Sequence, residues 1–78
     1  MAVSSVTVGR GRVSNNVRRL REAAAMTQAD LGERVGATRQ TIIAIEAEKY
    51  APSLELAFKL ARAFERPLDD VFQFHAND

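Results

Sequence analysis

Hydrophobic residues recur at helical spacing through most of the chain, in short runs separated by polar residues, glycine or proline. Val17, Leu20 and Ala24 stand at positions i, i+3 and i+7, which is the repeat of one helix face. The spacing predicts a first helix over about 15–25. Ser14 is its predicted N-cap, because a serine hydroxyl accepts a hydrogen bond from the free amides of a first turn.

The second predicted helix has both a start signal and a stop signal. Thr27 and Asp30 have the spacing of a capping box, with Asp in place of the usual Glu. The helix then covers about 28–35. Gly36 follows as a left-handed residue, a conformation that a missing Cβ favours.

Two further helices follow in quick succession. Thr38 is predicted to cap a third helix over about 39–48, and Ser53 a fourth over about 54–64. Only three residues, glycine among them, separate the second helix from the third, which predicts a tight corner. The inward-facing positions of the second, third and fourth helices are Leu31, Val35, Ile42, Ile45, Leu56, Ala57, Leu60, Ala61 and Phe64.

The end of the chain is predicted to hold a last short helix and a strand. Pro67 suits the start of a helix over about 67–72, and Asp69 and Asp70 suit its first turn as groups that complement the helix dipole. Residues 72–75 alternate apolar and polar side chains, as a short strand does.

The start of the chain has a weaker pattern. Residues 1–13 are predicted to form a flexible arm, with a short edge strand as the alternative. The predicted organisation is this arm, an all-α domain of five short helices over 14–72, and a tail over 73–78 that can serve as a dimer strand. The pattern in the arm rests on Val3, Val6 and Val8, interrupted by Gly9 and Gly11.

Length and composition exclude several classes of protein. A chain of 78 residues allows one domain, whose small core needs tight helix packing or a second subunit. There is no cysteine, so disulfides and cysteine-ligated metal sites are excluded. The single histidine, His75, builds neither a metal site nor a catalytic triad. We therefore expect no metal, no cofactor and no enzymatic activity.

Neither a membrane segment nor a secretory signal is predicted. No stretch approaches the roughly 18 consecutive apolar residues that a membrane helix needs. The N-terminus lacks the apolar run of a signal peptide. We expect a cytoplasmic protein with no membrane partner.

Charge is distributed unevenly, although the net charge is only +1. Residues 1–39 carry seven arginines against three acidic residues, whereas residues 40–78 carry four basic residues against seven acidic ones. The asymmetry indicates a basic face and an acidic end. A merely solvated charged surface is the alternative.

The order of motifs between Asn16 and Phe72 resembles the XRE/Cro-type helix-turn-helix family of bacterial and phage regulators. The resemblance implies a lambda-repressor-like DNA-binding domain, in which the third helix enters the major groove of double-stranded DNA. The matching stretches are Thr27-Gln28 with Leu31, Val35-Gly36, the run TRQTIIAIE at 38–46, Lys49-Tyr50, Pro52-Ser53-Leu54 and Leu68 to Phe72.

The start of the third helix is the predicted base-reading surface. An arginine can pair bidentately with guanine and a glutamine with adenine. The resemblance implies that Ala44 also faces base edges, although family members often have a polar residue there. An ordinary polar helix surface is the alternative. The base-reading candidates are Arg39, Gln40, Thr41 and Ala44.

Phosphate contacts are expected on the flanks of that helix. The free amides at the start of the second helix attract an anion, and the resemblance implies that Gln28 binds a phosphate. It also implies that an N-terminal arm with Arg10 and Arg12 can wrap the duplex. The phosphate candidates are Thr27, Gln28, Thr38, Lys49, Arg18, Arg10 and Arg12.

Two further sets of residues are assigned structural roles. Arg21 and Glu46 match a family pair, and we expect them to hold the third helix in place rather than to read bases. The C-terminal residues are more apolar than a monomer needs and predict a dimer interface, in which 72–75 can pair antiparallel with its counterpart. The alternative is that Phe72 covers the monomer core and Phe74 frays. The interface candidates are Leu68, Val71, Phe72 and Phe74.

The predicted function is sequence-specific binding of double-stranded DNA by a homodimer that regulates transcription, most simply as a repressor. Three alternatives stay open. The protein can be antitoxin-like and bind a partner protein, it can be an activator whose acidic patch contacts polymerase, or it can be a helical module that binds no DNA.

Overall fold

A computed structural model describes residues 11–76 of the chain. The prediction of five short helices is confirmed, and a two-stranded antiparallel sheet joins the two ends of the domain. Within the described residues no helix is long and apolar enough to cross a membrane. The elements in chain order are β1 (Gly11–Asn15), α1 (Val17–Ala23), α2 (Gln28–Val35), α3 (Arg39–Glu46), α4 (Leu54–Phe64), α5 (Leu68–Val71) and β2 (Phe72–Ala76).

Side-chain caps start α2, α3 and α4 at the residues that the sequence predicts. The N–H of Asp30 donates to Thr27 Oγ1 at 2.9 Å, and the N–H of Thr27 donates to Asp30 Oδ2 at 3.0 Å, which completes the capping box. Thr38 and Ser53 each accept one backbone N–H of the first turn, at 3.1 Å. Local sequence therefore sets where these three helices begin.

The start of α1 differs from the prediction. Ser14 lies in β1 and is not the N-cap. Instead, Asn15 Oδ1 accepts the N–H of Val17 at 3.0 Å. The N–H of Asn16 donates to the carbonyl of Val71 at 2.9 Å, in line with the strand pairing. Because this pairing keeps the chain extended through Asn15, the helix begins only at Val17.

Four helices are followed by a residue in the left-handed conformation, which glycine adopts most easily. Only one of these four residues is a glycine. The following N–H reaches back to a carbonyl of the last helical turn in each case, as in the Schellman motif. Because neither end carries a glycine, the predicted α1 and α3 extend about two residues too far at their C-terminal ends, and Ala24 is exposed rather than inward. The left-handed residues are Ala25, Gly36, Glu48 and Glu65.

The core lies between the helices, and two glycines shape the corner between α2 and α3. Gly32 is buried, and a Cβ at this position would lie 2.6 Å from the carbonyl oxygen of Ala37. Gly36 has φ of +76°. The first glycine allows a close approach and the second allows the turn. The buried apolar cluster consists of Val17, Leu20, Leu31, Val35, Ile42, Ile45, Leu60, Ala61 and Val71.

The sheet pairs the two ends of the described chain. Gly11 lies opposite Ala76 and Asn15 opposite Phe72. The strand predicted for 72–75 is confirmed, but its partner is β1 of the same chain. The predicted boundaries at 13/14 and 72/73 therefore both fall within strands, while most of the predicted arm and the end of the tail lie outside the described residues.

Candidate nucleic-acid interface

A largely buried ion pair ties α1 to the end of α3. Arg21 Nε donates to Glu46 Oε2 at 2.7 Å, and Nη2 donates to Oε1 at 3.3 Å. The two side chains are 11% and 6% exposed. A third donor, Gln28 Nε2 of α2, reaches Glu46 Oε1 at 3.2 Å. One carboxylate therefore fixes three helices relative to one another.

The guanidinium of this pair is held in its charged form. The hydrogen bond to Glu46 raises the pKa of Arg21 above its usual value, against the opposing effect of burial. Arg21 Nη1 also donates to the carbonyl of Met26 at 2.9 Å, at the end of the α1–α2 connection. The predicted structural pair is thus present, and it holds the start of α2 as well as α3.

The start of α3 presents polar side chains to solvent. Arg39 and Gln40 are exposed, and within residues 11–76 neither side chain has a hydrogen bond or an ion pair. Thr41 is half-buried, and its hydroxyl lies 3.0 Å from that of Thr38. Ala44, in the middle of the helix, is half-buried. The two long side chains are therefore available to a ligand, while the two threonines are engaged in capping.

One open groove brings several of the predicted residues together. Arg39 lines it with Arg18, Thr27 and Gln28, beside the Arg21–Glu46 pair. Arg18 Nε lies 3.2 Å from Glu22 on the surface of α1, an exposed pair of little energetic weight. In the described part of the chain, no cluster of three acidic or histidine side chains is placed to hold a metal ion.

Comparisons with known proteins agree with this geometry. A family model described as helix-turn-helix matches residues 17–71, which is most of the chain. The chain belongs to the XRE-type helix-turn-helix family. In this helix-turn-helix protein, α2 and α3 form the two helices of the motif and Gly36 lies in the turn.

Alignments with related proteins span most of this chain. An HTH-type transcriptional regulator of Methanocaldococcus jannaschii is 42% identical over 66 residues, which are 85% of this chain and all of that protein. YgzD of Bacillus subtilis, also named an HTH-type transcriptional regulator, is 48% identical over 60 residues, or 77% of this chain and 91% of that protein.

Solved structures share the fold at low sequence identity. The transcriptional regulator VanUg superposes with a TM-score of 0.70 at 20% identity, covering 87% of this chain and 91% of that one. A Bacteroides fragilis protein superposes with a TM-score of 0.71 at 21% identity, covering 78% and 98%. This chain therefore shares its fold with these two proteins.

The other phosphate candidates of this helix-turn-helix protein lie away from the Arg39 groove. Arg12 and Lys49 line a second groove, between the sheet and the α3–α4 loop. Arg12 Nη1 is 3.8 Å from Glu48 Oε1. Arg10 lies outside the described residues.

The four residues predicted to form the dimer interface differ in burial, and only one of them is well exposed. Val71 is fully buried, so its assignment to an interface is wrong: the short α5 turns this side chain into the core. Leu68 and Phe72 are half-buried and pack against the same core. Phe74 alone of the four is well exposed, at 66%.

The sequence did not predict the hydrogen bonds made by the side chains of Asn15, Asn16 and Gln28. Asn15 Nδ2 donates to the carbonyl of Ile45 at 2.9 Å and so holds β1 to the end of α3. Asn16 Nδ2 donates to the carbonyl of Asp70 at 3.0 Å. Two consecutive asparagines before a helix are a capping signal that favours them over Ser14. Nothing in the local sequence signals the contact between Gln28 and Glu46.

Proposed function

We propose that the protein binds double-stranded DNA sequence-specifically through α3 and represses transcription as a homodimer on a pseudo-palindromic operator. The observation that carries the proposal is the exposed start of α3. There Arg39 lines an open groove, and the side chains of Arg39 and Gln40 have no partner among the described residues. A helix that projects from such a corner fits the major groove, which is ~12 Å wide. This role needs no catalytic group.

The proposed contacts divide into base readers and phosphate binders. Arg39 would donate its two-pronged fork to guanine, and Gln40 would pair with adenine. Thr41 and Ala44, further into the helix, would bring the helix surface close to the bases.

Phosphate binding would come from the rim of the same groove. Gln28 uses one side-chain N–H on Glu46, which leaves its second N–H to donate to a phosphate oxygen in a fixed orientation. Thr27 offers the amide end of α2, and Arg18 can leave its weak surface pair. Thr38, Lys49, Arg12 and Arg10 would extend the phosphate contacts along the duplex.

The homodimer is proposed to form through the outer edge of β2. Phe74 stands on this strand with most of its side chain exposed, and within residues 11–76 the outer edge pairs with no strand. Antiparallel pairing with a second β2 would satisfy the edge and bury Phe74. A two-fold dimer can present two α3 helices about 34 Å apart, one turn of DNA.

A second candidate function, antitoxin-like binding of a partner protein, is favoured by one observation. Leu54 and Phe58 lie four residues apart on α4 and are 66% and 50% exposed. Such a pair makes an apolar strip on one helix face. Co-expression with the product of a neighbouring gene would test this: a stable complex that Phe58→Glu abolishes, with DNA binding retained, supports it.

In vitro selection of bound DNA from a random library, at a stated salt concentration near 0.1 M, tests the main proposal. We expect a two-fold symmetric motif and an affinity that falls steeply with salt. A library that shows no enrichment after several rounds would contradict sequence-specific binding. A reporter gene behind the selected site then distinguishes repression from activation.

A further inference from the structure

The outer edge of β2 lacks the features that normally keep two sheet edges apart. Proteins protect such edges with charged side chains, proline or a bulge. Residues 72–76 read Phe-Gln-Phe-His-Ala, with no proline, lysine, arginine or acidic residue, and they pair with β1 without a bulge. Within residues 11–76 no other strand pairs with β2. Two copies of this edge can therefore meet without a lysine, arginine or carboxylate facing its own copy.

We propose that β2 pairs with β2 of a second copy in one defined register, centred on Phe74. The inference rests on the homodimer of the proposed function and specifies its interface. Each Phe74 lies opposite the partner's Phe74, at the two-fold axis. Each Gln73 then lies opposite the partner's His75, and each Phe72 opposite the partner's Ala76. The two small sheets join into one antiparallel sheet of four strands, in the order β1–β2–β2–β1.

The hydrogen bonds of β2 determine which of its backbone groups face the outer edge. The N–H of Asn16 donates to the carbonyl of Val71 at 2.9 Å, in line with the strand pairing. Antiparallel ladders alternate hydrogen-bonded and non-hydrogen-bonded pairs, so Phe72, the next residue, belongs to a non-hydrogen-bonded pair. Phe74 and Ala76 follow at intervals of two and also direct their N–H and C=O groups away from β1. An added strand must pair with these groups.

The backbone groups on this edge restrict the possible registers. Registers that place Phe74 opposite Gln73 or His75 fail, because these two residues direct their N–H and C=O groups toward β1. The N–H of Phe72 already donates to the carbonyl of Leu68. A register centred on Gln73 would need that N–H in both of its hydrogen-bonded pairs, whereas one centred on Phe74 needs only the carbonyl of Phe72. Of the registers that pair at least three residues of β2, those centred on Phe74 and on His75 remain.

The side chains decide between these two registers. Val13 lies opposite Phe74, and Arg12 lies opposite His75, across β1 and β2. Centring on Phe74 produces an apolar row across the sheet, in which the two rings meet between the two Val13 side chains. Centring on His75 would place two histidines between two arginines and would leave each Phe74 opposite Ala76. The register centred on Phe74 therefore buries more apolar surface and brings fewer basic groups together.

The charged residues near Phe74 do not lie on the pairing edge. Arg12, Glu48 and Lys49 line the groove beside Phe74. Arg12 belongs to β1, on the side of β2 away from the second copy, and its Nη1 lies 3.8 Å from Glu48 Oε1. Glu48 and Lys49 follow α3. The pairing therefore makes no use of Arg12 and Lys49, which the proposed function assigns to phosphate.

Nuclear magnetic resonance on a mixture of isotope-labelled and unlabelled wild-type chains tests the register. Gln73 and the partner's His75 form a non-hydrogen-bonded pair, so their Hα atoms should give a strong cross-peak between chains. Sedimentation of the same sample gives its oligomeric state. A dimer without this cross-peak would overturn the register and leave the homodimer standing, whereas a monomer would overturn both. DNA plays no part in the measurement, so sequence-specific binding is judged separately.

Single cysteines give a second test, because the chain has no cysteine of its own. Directly opposite Cα atoms lie about 4.5–5.5 Å apart, within the range that a disulfide spans. Under mild oxidation Phe74→Cys should form a covalent dimer. Gln73→Cys mixed with His75→Cys should form a covalent dimer of the two variants, and this pair keeps both Phe74 rings at the axis.

The same two variants, each oxidised alone, are the matched controls. Their cysteines would lie diagonally across the axis, about 7–8 Å apart, and should link about tenfold more slowly than the mixture. Faster linkage of His75→Cys alone than of the mixture would move the axis to His75. Equal rates for the mixture and for each variant alone would show that the edges have no fixed register.

Discussion

Two regions of the domain use their side chains in opposite ways. Around Glu46, the side chains of Arg21 and Gln28 are bonded within the domain, and the carboxylate is 6% exposed. At the sheet, the apolar side chains of Val13 and Phe74 are 41% and 66% exposed. The polar region positions the helices that we propose to contact DNA. The apolar region leaves exposed surface that, in the dimer we propose, a second copy would cover.

The difference determines where a substitution should be felt. Removing one partner of the Arg21–Glu46 pair leaves the other charge largely buried and unpaired, so the free energy of unfolding should fall. A charge introduced at the exposed sheet surface disturbs few contacts within the folded domain, so it should weaken self-association rather than folding. Stability and assembly should therefore be separable by mutation in this small protein.

The largest effect is expected for Glu46→Ala. The change leaves the guanidinium of Arg21 largely buried without its carboxylate, and we expect the free energy of unfolding to fall by about 3–5 kcal/mol. Urea denaturation measures this loss. Glu22→Ala is the matched control, because it breaks the exposed pair with Arg18 and should cost about 1 kcal/mol or less. Equal denaturation midpoints for the two variants would show that the ion pair does not hold the fold.

The next effect concerns the surface that this region positions. Arg39→Ala should weaken binding to the selected operator by about 1–3 kcal/mol and relax base preference at one position in each half-site. Gln28→Ala should weaken binding to all sequences alike, because a phosphate contact carries no sequence information. Both are measured by titration of labelled duplexes at one salt concentration.

Arg62→Ala is the control for this pair of variants, since Arg62 is an exposed cation on α4 and does not line the Arg39 groove. It should leave both affinity and motif unchanged. If Arg39→Ala retains the wild-type motif, α3 does not read bases through this residue and the assignment fails.

The sequence predicted the polar region better than the sheet, for a physical reason. Caps such as Thr27 and Ser53 act over three residues, so local spacing reveals them. The partner of β2 is β1, some sixty residues earlier, and no local pattern encodes such a pairing. The burial of Val71 was mispredicted for the same reason. With no partner strand evident in the local sequence, the C-terminal residues were assigned to a dimer interface, whereas Val71 packs in the core.

Helix ends show the same limit. The sequence signals a stop at Gly36, and α2 ends there as predicted. Ala25 and Glu48 adopt the same left-handed conformation without glycine, so α1 and α3 were predicted too long. Their conformation is set by hydrogen bonds back to the last turn, such as that from Met26 to Arg21, rather than by residue type. In the candidate site, the bond from Gln28 to Glu46 is equally a product of tertiary packing.

A substitution at the sheet tests whether its exposed apolar surface mediates self-association. Phe74→Asp should weaken self-association about tenfold or more, because an aspartate replaces the exposed ring that the dimer would bury. The folded domain should persist, as seen by circular dichroism. Analytical ultracentrifugation measures the dissociation constant.

Phe58→Asp provides the matched control, since Phe58 is another exposed phenylalanine, 50% exposed on α4. It should leave the dimer intact, and loss of the dimer in this variant alone would move the interface to α4. Truncation after Val71 is not an equivalent test, because it removes β2 and with it the strand that pairs with β1.

The smallest effect is expected at the capping box of α2. The N–H of Thr27, and secondly its hydroxyl, lower the pKa of Asp30 below its ordinary value of 3.8. Because folding favours the ionised carboxylate, its contribution is complete above about pH 5 and is lost as the pH falls through the lowered pKa. Asp30→Asn keeps an oxygen acceptor but cannot titrate, so the acid-side fall of Tm should be shallower than in the wild type. Asp69→Asn, in the first turn of α5 where no side-chain cap forms, should retain the wild-type slope. If Asp30→Asn also retains it, the capping box contributes nothing to acid sensitivity.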